Sequence, residues 1–266
     1  IQLAHVASAQ GENAVAAILG QKPALDLSVV PSCVYTNPEI ASVGLTEEGA
    51  KAAGIPVKTG KYLTGANGKC LIEGTESGYV KLVTDQATGR ILGAQIVGYE
   101  GVDKRIDVLA TAMQMGGKVT DLTELDLAYA PPYSSAKDPV NMAGFMAENI
   151  EAGLVKQFHW DQVADLPRDG SVTLLDARTP MEYSGGCAQG FVNIPVDELR
   201  QRLGEIDPQK PVYVMCQSGL RSYLACRILA QHGYDCYNFS GGYRFYASVM
   251  LDQLAAQSAY PCGLER

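Results

Sequence analysis

The order of hydrophobic and polar positions changes character near residue 152. Before it, Leu3, Val6, Ala7, Ala14, Val15 and Ile18 recur near helical spacing, and Gly20 is a stop, which predicts a helix over 1–20. Val29 to Leu45 predicts two short strands broken by Thr36-Asn37-Pro38-Glu39. Thr46 to Lys51 has the form of a capped short helix ending at Gly54, and Val57 to Leu63 that of a strand. Tyr79–Val83 and Arg90–Val97 flank Asp85-Gln86-Ala87-Thr88-Gly89, the pattern of a β-hairpin. Helical spacing returns at about 103–116 and 139–150, around an irregular run rich in Tyr and Pro.

Beyond Gly153, the single Trp160 and the turn Pro167-Arg168-Asp169-Gly170, strands and helices alternate. Val172–Leu175, Val212–Met215 and Tyr234–Tyr237 read as strands. Thr179–Tyr183 reads as a helical turn, and Val196–Leu203 and Ser222–Gln231 as helices. Strands separated by helices imply a parallel sheet, whose active residues lie beyond the carboxyl ends of its strands. The domain boundary therefore falls near 152–158.

Composition narrows the picture. The chain has 266 residues, enough for two domains, with 47% hydrophobic and 19% charged residues, which permits real cores. A net charge of −8 argues against nucleic acid, and no run of 18 apolar residues predicts a membrane span. The chain has no starting methionine and no signal-peptide pattern, and is expected to be a piece of a longer protein. Seven cysteines, at 33, 70, 187, 216, 226, 236 and 262, form an odd, scattered set that suits a reducing cytoplasm. No Cys-x2-Cys pair is present, and His5, His159 and His232 are too dispersed to predict a metal site.

The chemistry concentrates at Cys216. The strand-like Val212–Met215 delivers this thiol to a tight loop, Gln217, Ser218, Gly219 and Leu220, and Arg221 opens a helical pattern. Backbone N–H groups at a helix start and a fixed cation both favour a thiolate and any anion attached to it. Four motifs then occur in order: Leu174-Leu175-Asp176-Ala177-Arg178-Thr179-Pro180 with Glu182-Tyr183, Asn193-Ile194-Pro195, the Cys216 loop, and Asn238-Phe239-Ser240-Gly241-Gly242-Tyr243. Together they resemble a single rhodanese domain.

The resemblance implies that Cys216 is a nucleophile that carries a persulfide, with Gln217 to Arg221 as its cradle. It also makes Ser222 the cap of the next helix, and leaves Arg221 to pair with Asp176 or Glu182. Tyrosine-type phosphatases carry a loop one residue longer, Cys-x5-Arg, so that activity is disfavoured. Cys187 stands where the family usually has a structural histidine. Cys33, Cys226 and Cys236 lie on apolar faces and are expected simply to pack.

The first half has no Gly-x-Gly-x-x-Gly turn. Its run Val30 to Gly44 resembles the interface domain of pyridine nucleotide–disulfide oxidoreductases, above all dihydrolipoamide dehydrogenase. Leu3, Ala4 and His5, with Gln10-Gly11, resemble the end of that family's FAD domain, where backbone touches the flavin. Leu122 to Pro139 instead resembles coenzyme A-disulfide reductases and NADH oxidases, some of which end in a rhodanese domain. That likeness implies that Tyr129 or Tyr133 reaches the partner subunit's active site; the plain alternative is that both pack a Pro-rich turn.

The expectation is therefore an α+β interface domain (antiparallel sheet with helices, 1–152, its first 20 residues the tail of an FAD domain), then an α/β rhodanese domain with a parallel sheet (157–252). The fragment alone would bind no cofactor, FAD and NAD(P)H belonging to the complete enzyme. A homodimer is expected, acting on low-molecular-weight thiols or persulfides of the coenzyme A or glutathione type. The alternative is a non-catalytic dimerisation module that senses persulfides or oxidants.

Overall fold

The computed structural model describes residues 3–23, 26–64, 78–131 and 133–257. Cys70, Pro132 and Cys262 lie outside the described residues, as do Ile1 and Gln2 at the start of the first expected helix.

Helix α1 (Ala4–Ile18) buries only Val6 and leaves Val15, Ile18 and Leu19 exposed. Strands β1 (Ser32–Val34) and β2 (Glu39–Gly44) follow, then α2 (Glu47–Ala52), whose N-cap Thr46 accepts a hydrogen bond from the Gly49 N–H. Strand β3 (Val57–Leu63) and the hairpin β4 (Tyr79–Asp85) and β5 (Ile91–Gly98) fall where the alternation places them. The hairpin loop is knotted locally, Asp85 Oδ1 accepting the N–H groups of Ala87 and Thr88. The five strands form an antiparallel sheet in the order β1-β2-β5-β4-β3.

Helices α3 (Val102–Gln114), α4 (Val119–Glu124) and α5 (Pro139–Glu151) cover this sheet. Val80 and Leu82 pack with Ile106, Leu109, Leu122 and Val140 in one fully buried core. Helix α4 lies inside the run read as irregular; only two of its six residues are buried, so its apolar signal is short.

The second sheet is parallel, in the order β6-β10-β9-β7-β8. Its strands are β6 (Lys156–Phe158), β7 (Thr173–Asp176), β8 (Val192–Asn193), β9 (Val212–Met215) and β10 (Cys236–Phe239). Helices α6 (Pro180–Ser184), α7 (Leu220–Gln231) and α8 (Gly242–Gln257) connect or follow them. Both faces are buried, as a parallel sheet requires. Val212, Val214 and Leu175 pack with Leu229 on one side, and Leu174, Met215 and Phe239 with Phe191 on the other.

The helix expected over Val196–Leu203 is not formed. Those residues make successive i to i+3 turns, Glu198 N–H to Pro195 O and Gln201 N–H to Glu198 O, then a 3-10 turn at Leu203–Glu205. Leu199 and Ile206 are drawn into the core at a spacing set by the sheet rather than by a helix.

The two domains touch through Tyr79, stacked on Phe245 at 6.0 Å, and through Lys61, whose ammonium lies 3.4 Å from His159 Nδ1. Burial, and after it the charge of Lys61, holds His159 down to about 4 from the usual 6.5; Lys81 adds to the effect, and Glu47 and Asp161 oppose it. The unfolded chain therefore binds a proton that the fold refuses. This contribution is complete above pH 6.5 and is lost as pH falls toward 4. His159→Gln is expected to remove a loss of roughly 2 kcal/mol from urea unfolding followed between pH 7 and 4. An unchanged pH profile would mean that His159 takes up its proton in the folded chain.

Candidate active site

The period of two along β9 sends Val212 and Val214 beneath α7, and Cys216 continues on that side at the sheet's carboxyl edge. The residue is fully buried, and the chain turns over its sulfur. Gly219, with φ 102, is the N-cap of α7, a conformation that a side chain would resist. Its N–H donates to Cys216 Sγ at 3.1 Å. The Ser222 hydroxyl lies 3.2 Å from the same sulfur and 3.2 Å from the Gly219 carbonyl oxygen. The expected capping role of Ser222 is thus corrected. Gly219 occupies the cap, and Ser222, one turn inside the helix, faces the sulfur instead.

Arg221 is clamped by Glu182, Nη1 donating to Oε2 at 2.7 Å and Nη2 to Oε1 at 2.6 Å. The two-pronged contact, with the Thr179 N–H and hydroxyl also donating to Glu182 Oε2, ties the start of α6 to the start of α7. Arg221, more than any other group, holds the Glu182 carboxyl down to about 2 from 4.5. The clamp is therefore fully charged above pH 4.5 and is lost only as pH falls toward 2. Arg221→Ala is expected to slow alkylation of Cys216 at neutral pH, by up to about tenfold. An unaltered rate would separate the guanidinium from the reactivity of the sulfur.

Asp176 does not reach Arg221 because Arg178 takes it. Arg178, only 1% exposed, donates from Nε and Nη2 to Asp176, the shortest contact being 2.7 Å. It also donates to the Gly186 carbonyl at 2.7 Å and to Gln217 Oε1 at 3.3 Å, and lies 4.0 Å over the Tyr243 ring. The loop is held from the far side as well: the Tyr243 N–H donates to Cys216 O at 2.7 Å and the Arg244 N–H to Gln217 O. Gly242 permits that approach, since a Cβ there would stand 2.5 Å from the Gln217 backbone. Arg178, Gly242 and Tyr243 were visible in the sequence as motif letters, yet nothing local assigned them to the loop.

Gln217, Ser218, Gly219, Leu220, Arg221 and Ser222 thus come together around Cys216. Tyr129 and Tyr133 do not join them. They lie exposed on the first domain, in the segment 125–138. Asn141 anchors the start of that segment through the carbonyls of Leu122 and Leu125, and Arg105 anchors its end through Asp138. Leu3, Ala4 and His5 are exposed at the start of α1. Cys187 is exposed beside Gly186. Cys226 and Cys236 are buried, the Cys236 thiol donating to Cys226 O at 3.3 Å, and Cys33 is half-buried against the first core. Among the described residues no cluster of three or more His, Cys, Asp or Glu could hold a metal, and no helix is long and apolar enough to cross a membrane.

Residues 30–139 match the pyridine nucleotide-disulphide oxidoreductase dimerisation domain, and residues 159–248 match the rhodanese-like domain. Dihydrolipoyl dehydrogenase of Halobacterium salinarum is 42% identical over 120 residues, 45% of this chain and 25% of its own length. Among solved structures, reduced CoADR-RHD of Bacillus anthracis superposes with a TM-score of 0.82 and 38% identity, over 94% of this chain and 45% of that one. A NAD-dependent persulfide reductase from A. fulgidus superposes with a TM-score of 0.70 and 34% identity, over 81% and 38%. The chain therefore spans a quarter of that curated relative and less than half of either solved chain.

Proposed function

We propose, for a chain that joins a pyridine nucleotide-disulphide oxidoreductase dimerisation domain to a rhodanese-like domain, that Cys216 carries sulfane sulfur as a persulfide. On this reading the division falls between residues 152 and 157. The first part would serve, in the complete protein, a flavin- and NAD(P)H-dependent disulfide or persulfide reductase. The observation that carries the reading is the pair of donors on Cys216 Sγ, the Gly219 N–H and the Ser222 hydroxyl, inside a four-residue loop closed by Arg221.

The Cys216 thiolate attacks the outer sulfur of a donor persulfide; the donor's S–S bond breaks and the donor leaves as its thiolate. An acceptor thiolate then attacks the terminal sulfur on Cys216, regenerating the enzyme thiolate and releasing the acceptor persulfide. No net oxidation occurs. N–H groups at the start of α7 favour the terminal anion. Donors and acceptors of the coenzyme A or glutathione type fit this chemistry, and free thiols among the described residues suit a reducing cytoplasm.

FAD, when bound, would relay reducing equivalents from NAD(P)H toward a disulfide. Leu3, Ala4 and His5 offer it an exposed helix edge but no enclosing cradle among the described residues, so no step here runs through it. The apolar side chains left open on α1 and on β1–β2 (Ile18, Leu19, Val34 and Ile40) support a homodimer, in which exposed Tyr129 or Tyr133 would reach the partner.

The test is intact mass after incubation with thiosulfate, followed by peptide mapping. One sulfur gained on the Cys216 peptide, with one sulfite released per sulfur, is the expected result. No gain on a thiol that still alkylates would favour a non-catalytic module in which Cys216 is silent, a reading that its complete burial supports.

A further inference from the structure

The core of the second domain holds a pair of thiols that the chemistry at Cys216 does not use. Cys226 sits on the buried face of α7, one turn beyond Ser222, and Cys236 opens β10, whose side chains share a core with that helix. The two are ten positions apart, joined through the tight turn at Gly233, where φ is 85. The Cys236 sulfur lies 3.3 Å from the carbonyl oxygen of Cys226 itself. Helix and strand thus bring the two thiols side by side.

Their surroundings make them unequal. A hydrogen bond between the two thiols is the main influence on both, pushing Cys226 up and holding Cys236 down. Burial and the charge of Asp235 oppose the lowering of Cys236, and Lys156 adds to it. That lysine pairs with Asp235 at 2.7 Å and stands over the neighbouring Tyr237 ring. Cys236 is also the more open residue, 8% exposed against 2% for Cys226. An oxidant therefore meets Cys236 first, with Cys226 as the thiol behind it.

We propose that Cys226 and Cys236 are an oxidation site for small peroxides, closing a disulfide that clips α7 to β10. The Cys236 thiolate attacks one oxygen of hydrogen peroxide and the O–O bond breaks. The hydroxide that leaves takes up the proton shed by Cys236 and becomes water. Cys226 then attacks the sulfur of the Cys236 sulfenic acid; the S–O bond breaks, and the Cys226 proton departs with that oxygen as a second water. Two thiols are oxidised by two electrons, and one peroxide is reduced to two waters. The clip fastens α7 one turn from the Ser222 hydroxyl that faces Cys216, and it does not depend on sulfur transfer.

Hydrogen peroxide added to the whole reduced chain, followed by non-reducing peptide mapping and urea unfolding, tests it. A Cys226–Cys236 linkage is expected, lighter by two hydrogens and reversed by dithiothreitol. With the linkage closed, the unfolding equilibrium constant should fall about a hundredfold, because the unfolded chain is then tied as well. Cys226→Ala removes only the second thiol and should leave Cys236 as a sulfenic acid that dimedone labels. Should that variant fail to fold, the map of the parent chain decides alone. Peroxide that oxidises Cys216 or Cys187 in the parent chain while both core cysteines stay thiols would overturn the proposal, since the pair would then merely pack. So would a linkage of either one to a different cysteine, or a linkage that forms only in urea.

Discussion

Cys216→Ser is expected to abolish sulfur uptake from thiosulfate, with transfer falling by at least about 10⁴-fold. A hydroxyl at this position cannot form the S–S bond that the reaction requires, while the Gly219 N–H and the Ser222 hydroxyl could still bond it. The buried site changes little in volume, so unfolding midpoint and subunit association should stay near those of the parent chain. Intact mass, peptide mapping and sedimentation together separate the outcomes. Sulfur gained by the serine variant on the exposed Cys187 would show that the carrier had been misassigned.

Asp176→Ala should be the most destabilising single change near the site, costing about 3–5 kcal/mol in chemical denaturation. The substitution leaves the Arg178 guanidinium buried without its counter-ion, and both side chains are almost wholly inaccessible. The damage should reach the loop, because Arg178 also holds Gln217 and the Gly186 carbonyl and lies over Tyr243. A double replacement, Asp176→Leu with Arg178→Met, should recover most of the stability while leaving the loop poorly held, since apolar groups of similar volume need no counter-charge. A loss below about 1 kcal/mol for Asp176→Ala would show that the cation finds solvent and that the pair does not organise the loop.

Much of the fold was legible wherever one element's own residues decide its form. Val57–Leu63 and the short apolar run Val212–Met215 became β3 and β9, and Thr46 capped α2 because its hydroxyl reaches the Gly49 N–H within one turn. Strand β6 has three residues and β8 two, and each exists because a distant strand offers it a ladder: β6 pairs with β10 some 80 positions later. So short a run carries no period of its own. Val196–Leu203 was misread for the converse reason, a helical-looking pattern held in tight turns by the core into which Leu199 and Ile206 are drawn.

The site divides in the same way. The Cys216-to-Arg221 spacing, the Gly219 turn and the strand leading into them are short-range geometry, and these the chain's own order determined. Only the tertiary structure decided that Arg221 pairs with Glu182, because Asp176 is already taken by Arg178 two residues on. It alone placed Ser222 against the sulfur and left Asn238 Oδ1 and Ser240 Oγ buried without a partner among the described residues. Torsional preference, capping and periodicity act over a few residues and can be read along the chain. Which carboxylate meets which guanidinium, and which polar group is buried without a partner, depends on surfaces far apart in sequence that meet only when the domains pack.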